Sequence, residues 1–265
     1  VPIRERILVT GVTGSGKSYQ WLKLAESLLH TGAKFRVIDT DEAIPYMLET
    51  QFPHLKPENK GNVWVYPGAD WKELKEGLAL IQKENPAPED WLIVDMADAP
   101  WSSVQRYFTS EVFDESMGEY FLQIRKDVRA KGGIDKFGKP ITSIVKEGLS
   151  GWVDWVVINR LYEDWILPII YRTKCHVYMT TKVQQLPSNE KDSEILALYG
   201  GMRLRPAGQK NLGHQMHTIF LLKPGIDKWT ITTMKDRANR GYFSNIPLNS
   251  LFKQYLVVKA GWPLA

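Results

Sequence analysis

Residues 6–18, "RILVTGVTGSGKS", constrain this chain more than any other stretch. The apolar run "RILVT" predicts a short buried strand. It leads into G-x-x-x-x-G-K-S, running from Gly11 through Val12, Thr13, Gly14, Ser15 and Gly16 to Lys17 and Ser18. Glycines let successive backbone N–H groups wrap around phosphate oxygens, and a following helix N-terminus adds a favourable dipole. That helix is predicted after Lys17, where Trp21, Leu22, Ala25, Leu28 and Leu29 recur on a helical period, with Gly32 as C-cap. Strand before and helix after are the context that separates a nucleotide cradle from a chance glycine-rich turn. Lys17 then reaches the β/γ-phosphates, Ser18 ligates Mg²⁺, and Tyr19 closes the cradle, so ATP and Mg²⁺ are the expected ligands.

The segments that follow alternate. "KFRVID", "NVWVYPG" and "DWLIVDM" are strand-like, and "WKELKEGLALIQKEN" is an amphipathic helix ended by Pro86. Strands alternating with helices imply parallel pairing, hence an α/β fold with a wound sheet. Beyond Asp98 the rhythm breaks. Residues 110–150 are polar and glycine-bearing, giving one helix ("EYFLQIRKDVRAK") and then a loop. "GWVDWVVINRLYEDWILPII" predicts a long helix and "CHVYMTT" a strand, followed by an irregular stretch from Lys182 to about Gly213. "HTIFLLK" and "KWTITTMK" predict an antiparallel hairpin through "PGID". The expected organisation is one domain with two long loops.

With 43% hydrophobic and 24% charged residues the composition is that of an ordinary globular protein. No apolar run approaches the ~18 residues needed to span a membrane, and no signal peptide stands at the N-terminus. The lone Cys175 forms no internal disulfide, which fits a reducing cytosol. The net charge of +4 is unevenly spread: residues 41–119 carry 16 acids against 6 Lys/Arg, and residues 120–242 carry 20 Lys/Arg against 11 acids. A basic second half is either a solvated face or a surface for a polyanion.

Asp95 ends the run "WLIVD", the presentation of a Walker B acid that holds Mg²⁺ through water; the competing reading is a helix cap, a role open to Asp98. "VIDTDEA" puts Asp39, Asp41 and Glu42 at the end of the second strand, where a carboxylate could polarise attacking water, and spacing alone does not separate them from a solvated turn. In "MKDRANRG", Lys235 and Arg237 stand two apart on a strand and so share a face. They suit either a γ-phosphate, as an arginine finger does, or a plain surface pair. The first loop carries Arg125, Lys126, Arg129, Lys131, Lys136, Lys139 and Lys146 with Phe137 among them. The second carries Lys182, Arg203, Arg205 and Lys210. Basic loops with an interleaved aromatic suit a single-stranded nucleic acid backbone, against flexible loops with no ligand. His214 and His217 lack a third ligand nearby and are read as structural.

Taken in order, "GVTGSGKS", "VIDTDEA", "WLIVDMAD" and the late "KDR" resemble the RecA-like P-loop ATPase core. In that resemblance Asp41, with Glu42 beside it, falls where the water-activating acid stands. Thr180, Thr181 and Lys182 of "YMTTK" fall where a γ-phosphate sensor is found, and Thr181 is taken as that sensor. Lys235 and Arg237 look like the cations that act on a neighbouring subunit's nucleotide. More narrowly, "WVVINRLYEDWILPII…HVYMTTK" is similar to the core-only, Sak-type single-strand annealing ATPases of bacteriophages and their AAA-domain relatives. The resemblance covers about residues 3–243, with basic loops near 125–150 and 182–213, and leaves 244–265 as a C-terminal tail. No N-terminal polymerisation segment of the RecA or RadA kind precedes the first strand.

The resemblance implies a mostly parallel twisted sheet flanked by helices with a C-terminal antiparallel hairpin. It implies an ATPase stimulated by single-stranded DNA, working in recombination or annealing as a ring or filament with shared active sites. It also implies a single-strand binding protein as a possible partner and, if the chain is phage-encoded, the bacterial host cytoplasm. The alternatives are a small-substrate P-loop kinase, with Arg125 and Arg129 at the spacing of a kinase lid, and a packaging or helicase-type motor.

Overall fold

A computed structural model describes residues 3–130, 153–225, 228–240 and 242–263, with only the backbone at 127–130 and 153. Nine strands make one sheet among the described residues: β1 (Arg6–Gly11), β2 (Phe35–Asp39), β3 (Val63–Pro67), β4 (Trp91–Asp95), β5 (His176–Gln185), β6 (Leu204–Pro206), β7 (Thr218–Pro224), β8 (Trp229–Asp236) and β9 (Ile246–Pro247). Their order is β3-β2-β4-β5-β1-β7-β8-β9, with β6 on the edge of β5. β1 through β5 and β7 pair in parallel, while β6, β8 and β9 are antiparallel additions. β2 and β4 are buried at every residue, as strands covered on both faces must be. One strand, β5, separates β1 from β4.

The helices are α1 (Lys17–Ser27), α2 (Ala43–Thr50), α3 (Trp71–Lys83), α4 (Ala99–Phe113), α5 (Met117–Ala130), α6 (Val153–Leu167), α7 (Ser193–Tyr199) and α8 (Leu212–Gln215). Strand alternation divides the core into two layers. Leu8, Met179 and Ile219 face α3, α4 and α6; Ile7, Val9, Tyr178 and Phe220 face α1 and α2. Each fully buried Leu, Ile or Val contributes about 1.5–3 kcal/mol of hydrophobic stabilisation. α3 shows how the local sequence sets its element: Asp70 accepts from the Glu73 N–H at 2.9 Å, and Trp71, Leu74, Leu78 and Ile81 form its buried stripe. α6 runs into a π-helical turn at Pro168–Arg172. Arg4 donates to the carbonyls of Ile169 and Ile170 in that turn and of Cys175 just beyond it.

Several expectations change. The region after Asp98 is not a break in structure but α4, whose buried face mixes Val104 and Phe108 with Pro100, Ser103 and Thr109 and so gives only a weak apolar stripe. The stretch 182–213 holds α7, β6 and α8 rather than one irregular loop. Gly32 caps a short 3₁₀ turn at Leu29–Thr31, because α1 ends at Ser27. Residues 244–263 lie against the body: β9 extends the sheet, and Phe252, Tyr255 and Leu256 are buried in the layer that holds Trp21 and Leu22. Lys131, Lys136, Phe137, Lys139 and Lys146 fall outside the described residues.

Candidate nucleotide site

β1 delivers Gly11 to the C-terminal edge of the sheet, and the chain turns there before α1 begins at Lys17. Gly11 is required by close approach: a Cβ would lie 2.6 Å from Ser15 Oγ and 2.8 Å from the Leu222 carbonyl. Gly14 and Gly16 hold φ of 77° and 81°, which side chains disfavour, and both face open space. Val12 accepts from the Ser15 N–H at 3.2 Å. Lys17 is buried and donates its ammonium to the carbonyls of Gly11 (3.1 Å) and Val12 (3.0 Å). Burial lowers the pKa of Lys17, while Asp95, Asp98 and Asp41 oppose that effect. The Ser15 hydroxyl is buried without a partner. A wrapped backbone with an orphan hydroxyl, two open positive-φ glycines and a cation turned into the loop fits a phosphate chain. Tyr19 packs its ring on Phe52 beside the loop.

Asp95 stands at the tip of β4, fully buried. Its Oδ2 accepts from Trp21 Nε1 at 2.8 Å and its Oδ1 accepts from the Thr180 hydroxyl. Burial raises its pKa, and Thr180, Trp21 and the Ser18 hydroxyl hold it down. Ser18 and Asp95 are therefore neighbours across the β1–β4 gap, a hydroxyl and carboxylate suited to Mg²⁺ and its water. Asp98 sits at the N-cap position of α4 without capping it. Its carboxylate accepts instead from the Lys182 N–H at 3.3 Å.

The structure separates the three acids after β2. Asp39 is buried, accepts from the Ile44 N–H at 3.1 Å, and is pushed up to about 7 by burial, with Asp41 and Asp95 adding to the rise. It therefore pins the start of α2. Asp41 is exposed and acts electrostatically on Lys17, Asp39 and Asp95. Glu42 is exposed with φ of 58°. Thr180 and Thr181 point to opposite faces of β5: Thr180 to Asp95 on the α1 side, Thr181 away with a buried, unpartnered hydroxyl. Trp21 was absent from the sequence-based site, Thr180 stood there only beside the chosen sensor Thr181, and Asp98 only as a helix cap. Strict alternation along β5 was the available signal for Thr180.

Lys235 and Arg237 come together, but elsewhere. The register Leu8–Ile219–Lys235 puts them toward the start of β1 and on the α6 side of the sheet, away from the turn at Gly11–Ser18. Lys235 donates to the carbonyls of Gly213 (2.8 Å) and His214 (3.0 Å), and Arg237 to that of His214 (2.7 Å). Neither reaches its own chain's cradle.

Among the basic residues of the second loop, Lys182 is exposed within β5, opposite Gly11 of β1. Lys210 is paired with Glu190 and Asp192, Arg203 donates to the Pro187 carbonyl, and Arg205 is half-buried. Arg125 is exposed on α5, and Arg129 lies where only the backbone is described. No group of three metal-ligating side chains occurs among the described residues, and none of their helices is long and apolar enough to cross a membrane.

No family model matches the chain, and no curated protein matches it. Among solved structures it is similar to the crystal structure of the RadB recombinase, at 17% identity and a TM-score of 0.47, over 89% of this chain and 82% of that one.

Proposed function

We propose that this chain is an ATP-hydrolysing protein that binds single-stranded DNA and serves phage-type recombination or strand annealing, as an oligomer with shared active sites. The observation that carries the reading is the meeting of Lys17, Ser18 and Asp95 at the C-terminal edge of β1 and β4. The backbone of Gly11–Ser18 binds the phosphates and Lys17 places a cation against them. Ser18 and Asp95 would hold Mg²⁺, which when bound stabilises charge on the transferring phosphoryl group. Asp41, exposed beside Lys17, orients the attacking water, with Glu42 next to it. Thr181, whose buried hydroxyl lies within β5 on the face opposite Asp95, serves as the γ-phosphate sensor. Lys235 and Arg237, directed away from their own cradle, serve the next copy's nucleotide. Lys182, Arg203, Arg205 and Lys210, with Arg125, Arg129, Lys131, Lys136, Phe137 and Lys139, supply the DNA surface.

The test is phosphate release with and without single-stranded DNA. Hydrolysis that rises with DNA and vanishes in Lys17→Ala supports the reading. Normal turnover in Lys17→Ala removes it. Joint replacement of Lys131, Lys136 and Lys139 should flatten the salt dependence of DNA binding, because fewer counterions are released; an unchanged slope removes that loop from the interface.

A further inference from the structure

The first turns of α1 present three groups on one face. Trp21 stands four residues after Lys17 and three after Ser18, so the ammonium, the hydroxyl and the indole lie together. Trp21 is fully buried, and its Nε1 donates to Oδ2 of Asp95 at 2.8 Å. From β5 the Thr180 hydroxyl donates to the other oxygen, Oδ1. Each carboxylate oxygen therefore carries a donor fixed by a different element, α1 for one and β5 for the other. The two elements are tied to each other as well. Tyr178, on the same face of β5 as Thr180, donates its hydroxyl to the Lys17 carbonyl at 3.4 Å. Hydrogen bonds to an ionised carboxylate are the strong ones. A carboxylate held at both oxygens keeps its plane, and turning it to grip a cation directly breaks one of the two bonds.

We propose that Trp21 is a positioning residue that makes this site selective for Mg²⁺ over a larger cation such as Ca²⁺. The inference rests on the reading above, in which Ser18 and Asp95 hold the ion beside a bound nucleotide. Mg²⁺ gives up its water reluctantly and is served by a carboxylate that accepts from that water. Ca²⁺ takes roughly six to eight oxygen ligands and draws carboxylates in directly, often through both oxygens. The indole and the threonine permit the first kind of contact and oppose the second. Without the indole N–H, Oδ2 is freed and the carboxylate can turn toward the larger ion.

The experiment titrates the full chain with ADP by calorimetry, in Mg²⁺, in Ca²⁺ and in chelator. Trp21→Phe keeps a buried ring and removes the donor. Trp21→His restores a donor, since its Nε2 and the indole nitrogen occupy the same ring position relative to Cγ, but it fills far less of the core. The wild type should bind ADP more tightly with Mg²⁺ than with Ca²⁺. Trp21→Phe should narrow that ratio by roughly ten-fold, the scale of one hydrogen bond to a charged group, and change the affinity in chelator far less. Trp21→His should recover most of the ratio. A role in packing alone predicts the reverse order, with His worse than Phe, and equal losses under all conditions. Where Trp21→Phe does not fold, the wild-type indole N–H resonance, identified by its loss in Trp21→His, decides. It should hold its position when Mg²⁺ and ADP are added and move when Ca²⁺ replaces Mg²⁺. An unchanged ratio in Trp21→Phe, or a resonance that moves equally with both ions, overturns the selectivity role and leaves the nucleotide reading standing. ADP binding that is the same in Mg²⁺, in Ca²⁺ and in chelator overturns both.

Discussion

The Thr180 hydroxyl on β5 donates to Oδ1 of Asp95 on β4, while the adjacent Thr181 leaves its own hydroxyl buried and unpartnered. Two neighbouring threonines thus do different work. A hydrogen bond to an ionised carboxylate contributes about 1.5–3 kcal/mol. Thr180→Val keeps the branched shape and removes the donor, so the Asp95 carboxyl rises further. Magnesium-dependent nucleotide affinity should fall by about ten-fold, which is ~1.4 kcal/mol. Thr181→Val should leave affinity and unfolding unchanged and lower turnover alone. Equal effects of the two substitutions on nucleotide affinity would contradict this division.

Asp39 gives the protein a signed pH dependence. Its value rises from the ordinary 3.8 to about 7 on folding, chiefly through burial. Between those limits the folded state holds a proton that the unfolded chain has lost, so this group's contribution to stability falls as pH rises from about 4 to about 7. The slope is at most about 1.4 kcal/mol per pH unit. Asp39→Asn keeps an acceptor for the Ile44 N–H and removes the titration. Urea unfolding at pH 5 and pH 7.5 should show a smaller stability difference in the variant than in the wild type.

The cradle and the parallel strands were legible because their signals are local: glycines at fixed offsets, β-branched runs and one amphipathic period. What hid was non-local. α4 was hidden because Pro100, Trp101, Ser102 and Ser103 open it with weak helix formers, and its burial comes from packing against α6. The hydrogen bond from Trp21 to Asp95 joins residues 74 apart in the chain. Lys210 looked free in sequence because its partners Glu190 and Asp192 lie some twenty residues upstream, across α7 and β6.

Gly208 ties the second loop to the β4–α4 connection. It holds φ of 92°, and a Cβ there would lie 3.0 Å from Asp98 Cα. Ala207 also donates to the Lys182 carbonyl at 2.8 Å, so the segment is seated beside the acids of the site. Gly208→Ala should cost roughly 1–3 kcal/mol of stability through backbone strain. It should also reduce turnover through displaced Asp98 and Lys182. Gly201→Ala, which meets nothing within 4 Å and has no positive φ, is the control and should be near neutral in both melting and turnover.

The placement of Lys235 and Arg237 makes the decisive prediction about assembly. Lys235 stands level with Leu8 and Arg237 with Arg6 on the α6 side of the sheet, whereas Gly11–Ser18 opens at the far end of β1, roughly 10 Å and 17 Å further along the strand. Both side chains are also held on the carbonyls of Gly213 and His214, so the proposed shared site assigns them to a neighbouring copy's nucleotide. Arginine fingers supply ~10³–10⁵ in rate, and Arg237→Ala should lose turnover on that scale while nucleotide binding to the isolated chain stays intact. Mixing Arg237→Ala with Lys17→Ala protein should restore part of the rate. In random head-to-tail assembly roughly one junction in four joins a sound cradle to a sound finger. Specific activity of the wild type should rise with protein concentration for the same reason. Concentration-independent turnover with no rescue on mixing would leave Lys235 and Arg237 as clamps on the His214 carbonyl, holding α8 to the sheet and nothing more.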